Sequence, residues 1–300
     1  MYKVLISGAS GLLGSACSEY FSNKGHAVFK LVRREPNSDN EIFWNPMKGE
    51  LDLMKIEGFG SIINFSGKNI GLGRWTEKSK KVIYDSRIQS TTLLSESISK
   101  LNNPPESFMS SSAVGYYGET GRALVNEGVE PGKGFLSDLC VKWEKATMPA
   151  VKAGVKVIQL RSGVVFSAKG GALAKMLTPF RIGIGGRLGD GSQYLSWIMI
   201  EDYVRAVYHL MTFENIQSPV NIVSPEPVTN REFTKILAKV LNRPAIIPIP
   251  AFVLKTLLGQ VAEEILLSST RAIPQLLMGS GFEFKYPELE DALKRCLPGS

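Results

Sequence analysis

The sequence predicts an α/β fold: a doubly wound parallel sheet with a smaller, mainly helical C-terminal lobe. Three observations carry that reading. Lys3–Ser7 is a short apolar run followed by Gly8-Ala9-Ser10-Gly11-Leu12-Leu13-Gly14, an amphipathic segment, and a second apolar run at Ala27–Val32. Strand, glycine turn, helix and strand within about thirty residues is the layout of a βαβ unit. Further buried-strand runs at 61–65 and 108–110 alternate with helical segments, as a parallel sheet requires. From Pro250 onward, three pieces with helical apolar faces (Phe252, Leu254, Leu257; Ile265, Leu266, Leu267; Leu289, Leu293) supply the second lobe.

Composition narrows the class. The chain has 300 residues, room for about one or two domains and a large core. It is 44% hydrophobic and 21% charged, which excludes a disordered or collagen-like chain. The longest apolar stretch, around 246–258, is broken by Pro248, Pro250 and Lys255, too soon for a membrane span. No signal peptide is visible at the N-terminus. Cys17, Cys140 and Cys296 are far apart and form no CxxC, which favours free thiols in a reducing, cytoplasmic setting over disulfides or zinc. His26 and His209 lack a nearby nucleophile or second ligand and read as structural. No metal site is expected.

The net charge is +7. No Asp or Glu occurs from Lys145 to Gly189, a stretch holding eight cations among apolar residues and glycines. A solvated face and a pocket for an anionic ligand both suit this pattern; the absence of any nucleic-acid motif argues against a nucleic-acid surface.

The N-terminal turn carries the first chemistry. Glycines permit the tight turn, let backbone approach a pyrophosphate, and let the helix pack close to the strand. The helix N-terminus then offers free N–H groups and the positive dipole end to phosphates. Gly8, Ser10, Gly11, Leu12, Leu13 and Gly14 are the expected cofactor-binding residues, which makes the fold Rossmann-type. The second strand ends Leu31-Val32-Arg33-Arg34, and Arg33 lies 19 residues past Gly14, where the cofactor selector is expected. Two guanidiniums with no acid at the strand tip suit the 2′-phosphate of NADP(H). In the other reading both arginines are solvated and Glu35 selects.

The strand at 61–65 ends Asn64-Phe65-Ser66-Gly67, small residues beside which a cofactor can run at the carboxyl end of the sheet. A helix over 76–100 follows, containing Arg87, which either points back to the cofactor phosphates or is exposed. The next strand leads into Ser110-Ser111-Ser112-Ala113-Val114-Gly115-Tyr116-Tyr117-Gly118, itself also a turn signal.

The GxxGxxG spacing resembles the extended short-chain dehydrogenase/reductase group. More text narrows the likeness: Gly73-Arg74-Trp75-Thr76, Asp85-Ser86-Arg87, Val114-Gly115-Tyr116-Tyr117-Gly118, Lys142-Trp143-Glu144, Arg161-Ser162-Gly163-Val164-Val165, Phe180-Arg181-Ile182-Gly183-Ile184-Gly185-Gly186, Ser196-Trp197-Ile198 and Gly281-Phe282-Glu283-Phe284-Lys285-Tyr286-Pro287. Over nearly its whole length the chain resembles the atypical "epimerase family" branch of the NAD-dependent epimerase/dehydratase superfamily, which has its own C-terminal extension. The resemblance implies a Rossmann domain, bound NADP and a small substrate lobe. It gives Ser112 the role of hydrogen-bonding the substrate oxygen that gains or loses hydride.

Two departures stand out. Ordinary superfamily members carry YxxxK on the helix after the serine strand. With Glu144 in register with the glutamate that follows the motif, Leu136 stands at the tyrosine and Cys140 at the lysine. Tyr116 or Tyr117 can supply a phenol instead, or simply pack. Met199 stands where the branch usually has histidine.

A glycine-rich, basic region at 170–191 is expected to cover the cofactor cleft, with Arg181 and Arg187 as candidates for holding an anionic, nucleotide-diphosphate-like substrate. A helix at 201–213 and a strand at 220–223 return to the sheet. Thr229-Asn230-Arg231-Glu232 is a capping box opening the helix that runs through Ala238. The domain expectation is therefore 1–165 for the dinucleotide-binding unit, completed by segments near 195–223, with 166–300 mostly substrate lobe and extension. The expected function is an NADP(H)-dependent oxidoreductase or epimerase on a small anionic metabolite, the alternative an NADP(H)-binding redox sensor or regulator with little catalysis. A small molecule is the expected partner. By superfamily analogy, a homodimer can form through helices at 76–100 and 135–152.

Overall fold

A computed structural model describes residues 2–71, 73–213, 215–216 and 218–297. Its strands, in chain order, are β1 (Lys3–Ser7), β2 (Ala27–Val32), β3 (Glu41–Asn45), β4 (Glu50–Leu51), β5 (Ser61–Asn64), β6 (Ser107–Ala113), β7 (Leu124–Val125), β8 (Lys156–Ser162), β9 (Val164–Phe166), β10 (Tyr194–Leu195), β11 (Trp197–Met199), β12 (Val220–Ile222), β13 (Val228–Thr229) and β14 (Arg271–Ala272). The helices are α1 (Leu12–Asn23), α2 (Glu77–Ile98), α3 (Phe135–Lys145), α4 (Met148–Lys152), α5 (Gly171–Arg181), α6 (Ile200–Thr212), α7 (Asn230–Leu241), α8 (Ala251–Leu258), α9 (Gln275–Gly279) and α10 (Leu289–Cys296).

The central sheet has the order β12-β8-β6-β5-β1-β2-β3-β4. It is parallel except for the last edge pair, β3 with β4. The order reverses direction between β1 and β5, the switch point at which ligands bind in open α/β sheets. The predicted α/β class and Rossmann architecture are therefore present. Alternate residues of each strand face opposite layers, as a pleated strand dictates. Val4 and Ile6 of β1 join Phe21 of α1 and Val207 of α6 in one core. Leu5 joins Leu94 and Ile98 of α2 in the core on the other face. Both faces are covered, so the strands are apolar throughout and cannot slip register cheaply.

A third core lies in the mainly helical lobe, where Leu177 of α5, Phe233 and Leu237 of α7, and Leu289 and Leu293 of α10 pack around Trp197. The predicted capping box opens α7. Thr229 accepts from the Glu232 amide at 3.2 Å and the Glu232 carboxylate accepts from the Thr229 amide at 2.8 Å. No helix among the described residues is long and apolar enough to cross a membrane.

Candidate active site

The carboxyl ends of β1, β2, β5 and β6 carry most of the predicted site residues. At the end of β1 the three glycines do different work. Gly8 has φ +65°, and a Cβ there would lie 2.7 Å from the Phe65 backbone, so the turn and the end of β5 touch directly. A Cβ on Gly14 would lie 2.3 Å from the Gly8 carbonyl oxygen, so α1 sits flush on the turn. Gly11 caps α1 without a side-chain hydrogen bond, and no acid occupies the first helical turn. The amide ends of Leu12, Leu13 and Gly14, beside the exposed Ser10, therefore meet no competing anion of their own helix.

The two arginines at the end of β2 separate. Arg34 makes a two-pronged pair with Glu41 of β3, at 2.6 and 2.8 Å, and also donates to Asn37. That guanidinium is already committed, which argues against the expectation that Arg34 holds a phosphate. Arg33 is exposed and has no hydrogen-bond partner among the described residues. Sequence alone could not tell the two apart, because the Arg34 partner comes from the next strand.

At the end of β5, Asn64 is fully buried. Its carbonyl oxygen accepts from Ser7 at 2.5 Å and from the Ser66 amide at 3.1 Å, and its amide donates to Thr91 of α2 at 2.9 Å. The Asn64 side chain thus clamps β1, β5 and α2 together, which leaves only the backbone at this strand end to run beside a cofactor. Phe65 packs partly into the core, Ser66 donates to Ser7, and Gly67 is exposed. Arg87 lies directly under Gly67, whose Cβ would meet the guanidinium carbon at 3.1 Å.

At the end of β6, Ser112 is buried and donates to Glu144 of α3 at 2.7 Å. Glu144 is in turn held two-pronged by Arg161 of β8, at 2.8 and 2.9 Å. Arg161 also donates to the Tyr117 hydroxyl at 3.0 Å, and that hydroxyl donates to Asn221 of β12 at 2.7 Å. Burial pushes the Tyr117 phenol up to about 12. With both hydrogen-bonding directions used, Tyr117 is a structural post, which argues against it as an acid/base. Tyr116 turns the other way. Its ring lies 3.4 Å from the Arg161 guanidinium, half-buried, and its hydroxyl has no partner among the described residues. Glu144 and Arg161 are the site residues that the sequence reading did not assign. They lie 17 positions apart on a helix and a strand, and only the fold brings them to Ser112.

A family model described as the NAD dependent epimerase/dehydratase family matches residues 4–223, and a second, described as a domain of unknown function (DUF1731), matches 249–296. The chain belongs to the NAD dependent epimerase/dehydratase family. It is 40% identical to an epimerase family protein of Mycobacterium leprae over 97% of this chain and 94% of that one. It is 31% identical to the human epimerase family protein SDR39U1, solved with NADPH, at a TM-score of 0.90 over 99% of this chain and 100% of that one. A nucleoside-diphosphate sugar epimerase from Corynebacterium glutamicum is 32% identical at a TM-score of 0.82, over 98% of this chain but 57% of that chain.

Within this epimerase-family chain, the positions that depart from ordinary members are inert. Leu136 packs against Gly115, whose Cβ would meet it at 3.2 Å. Cys140 is buried beside Ser112 and the Ala113 amide, and desolvation pushes its thiol up to about 12. Met199 sits in the core of the helical lobe against the Cys296 sulfur at 3.5 Å, so a residue at this position packs and does not face the cleft. In that lobe Arg187 lines a cleft of about 450 Å³ with Arg231, Thr234 and Lys235. Arg181, exposed at the end of α5, does not line it. No cluster able to hold a metal ion occurs among the described residues.

Proposed function

We propose that this chain binds NADP(H) and exchanges hydride with a small anionic metabolite, as an oxidoreductase or epimerase. The observation that carries the reading is the uncapped, acid-free start of α1 behind Gly8, Gly11 and Gly14, a turn packed so closely against β5 and α1 that Cβ atoms at Gly8 and Gly14 would not fit. It fits a pyrophosphate on physical grounds. The human relative solved with NADPH, alike over its whole length, supports the same cofactor. Arg33, exposed and without a hydrogen-bond partner among the described residues, is a cation suited to a 2′-phosphate.

When bound, the nicotinamide supplies or takes up the hydride. The residues of the chain then have to orient the reacting carbon and move one proton. Ser112 has its proton on Glu144, so it can accept from a substrate hydroxyl or must first turn to donate. Tyr116, with its free hydroxyl at the end of β6, is the phenol available for proton transfer. The cleft of Arg187, Arg231 and Lys235 matches the charge of an anionic, nucleotide-diphosphate-like substrate.

A second reading, an NADP(H)-binding sensor with little catalysis, is favoured by Leu136 and Cys140, which leave α3 without a proton-transfer pair. Incubating the protein with NADPH and a panel of carbonyl and nucleotide-sugar compounds, and following absorbance of the reduced nicotinamide, separates the two. The enzyme reading expects NADPH consumption that depends on one compound class. Persistence of bound NADPH across the whole panel favours the sensor.

A further inference from the structure

Two stretches of the chain hold no acid, 145–189 and 233–262. The fold joins them in the helical lobe. The Arg243 Nε donates to the Arg181 carbonyl at 3.0 Å, and the Ile249 amide donates to the Arg187 carbonyl at 2.9 Å. Six large apolar side chains stay exposed on the joined segments: Ile182 and Ile184 after α5, Ile246 and Ile247 before α8, and Phe252 and Leu257 on α8. Ile246 and Ile247 are consecutive in a non-helical segment, so their side chains leave on opposite sides. Both are exposed nonetheless, at 82% and 51%. The segment therefore stands proud of the surface as a ridge; lying flat on the lobe, it would bury one of the pair.

The ridge suits an apolar medium. Pro244, Pro248 and Pro250 carry no amide N–H, and the amide and carbonyl of Ile249 are paired with Arg187 and Gly189. Backbone that enters lipid needs its polar groups absent or satisfied. Cations flank the ridge. Arg181, Lys235 and Arg243 are exposed and form no ion pair among the described residues. The nearby carboxylates are engaged: Asp190 accepts from the Ser192 amide and hydroxyl, Glu232 closes the capping box of α7, and Glu263 pairs with Lys255 at 3.4 Å. Exposed apolar side chains among unpaired cations complement a surface that is apolar within and negative at its rim. A folded partner offers a wall to pack on, which a two-sided ridge does not match, whereas a bilayer surrounds it.

We propose that this face of the helical lobe seats the protein peripherally on an anionic lipid bilayer, with Phe252 and the Ile246-Ile247 ridge entering the headgroup layer and the cations meeting lipid phosphates. The inference is independent of the cofactor reading. The test is co-sedimentation of the full chain with phosphatidylcholine vesicles, with and without phosphatidylglycerol. Wild type should bind the anionic vesicles at least about tenfold more tightly than the neutral ones, and added salt should weaken that binding. Ile247→Ser with Phe252→Ser should weaken it at least about tenfold while keeping the unfolding midpoint, since both side chains are exposed. Phe252→Ser alone carries the same comparison should the double variant unfold. Met54→Ser, an apolar side chain 84% exposed elsewhere, should leave vesicle binding unchanged. Equal binding to both kinds of vesicle, or a loss in Met54→Ser equal to that in the double variant, overturns the proposal. No sedimentation with anionic vesicles also overturns it and leaves the face to an acidic protein partner. A dimer in free solution that the double variant dissolves assigns the face to a second copy and overturns it as well.

Discussion

Tyr116 and Tyr117 are neighbours in the chain and opposites in the fold. The short helical turn at Val114–Tyr117 swings one ring inward and leaves the other at the edge. Tyr117 bridges Arg161 and Asn221 through one hydroxyl, whereas Tyr116 touches Arg161 only with its ring face. Removing the two hydroxyls should therefore have different consequences. Tyr117→Phe leaves a buried donor and a buried acceptor unpaired and should cost about 1–3 kcal/mol in urea unfolding. Tyr116→Phe should leave the unfolding midpoint unchanged and lower the rate of NADPH consumption with any substrate found. A destabilised Tyr116→Phe, or a fully stable Tyr117→Phe, would contradict this division. At the same scale, the sequence offered Ser112 as a lone hydroxyl. The structure gives it a partner, Glu144, that is itself neutralised by Arg161, so the group facing the site is a three-residue unit.

Elements show which signals are local. The glycine turn and the Thr229–Glu232 capping box were legible because all their partners lie within a few residues. The ends of α2 and α6 fall within two residues of those read from periodicity, the usual uncertainty where caps decide. The start of α3 was read at Phe135, where it lies, but what caps it was not legible in this way. It has no side-chain cap of its own, and Gly134 precedes it at φ +110°. Its first two amides, of Phe135 and Leu136, donate at 3.1 and 2.8 Å to Glu264, a residue of the C-terminal extension 129 and 128 positions away. Glu264 places a negative charge at the positive end of α3, where it stabilises the helix that holds Cys140, Trp143 and Glu144. Glu264→Ala should lower stability by about 1 kcal/mol, the usual value of a lost cap, and speed amide exchange at Phe135 and Leu136 ahead of the rest of α3. Unchanged exchange at those two amides would show that the extension does not support the helix.

The whole molecule is tied together by contacts of this long-range kind. β14, from the extension, pairs with β7, and the buried Glu127 carboxylate accepts from the amides of Asn221 on β12 and Leu276 on α9. Burial raises the pKa of Glu127, and the same carboxylate stands beside the network that ends at Tyr117. The extension is thus fastened to the open end of the sheet that holds the candidate site. Sequence patterning could foresee a helical lobe there but not its points of attachment, since these join positions 94 and 149 residues apart. The central claim for the molecule is that this open end is a dinucleotide site with Arg33 reading the 2′-phosphate. Calorimetric titration with NADPH and NADH tests it most directly, using wild type, Arg33→Ala and Arg34→Ala. The account predicts NADPH binding at least about tenfold tighter than NADH, a preference lost in Arg33→Ala and kept in Arg34→Ala, whose guanidinium is already held by Glu41. Absence of binding by either nucleotide, or equal affinity for both in the wild-type protein, would contradict it.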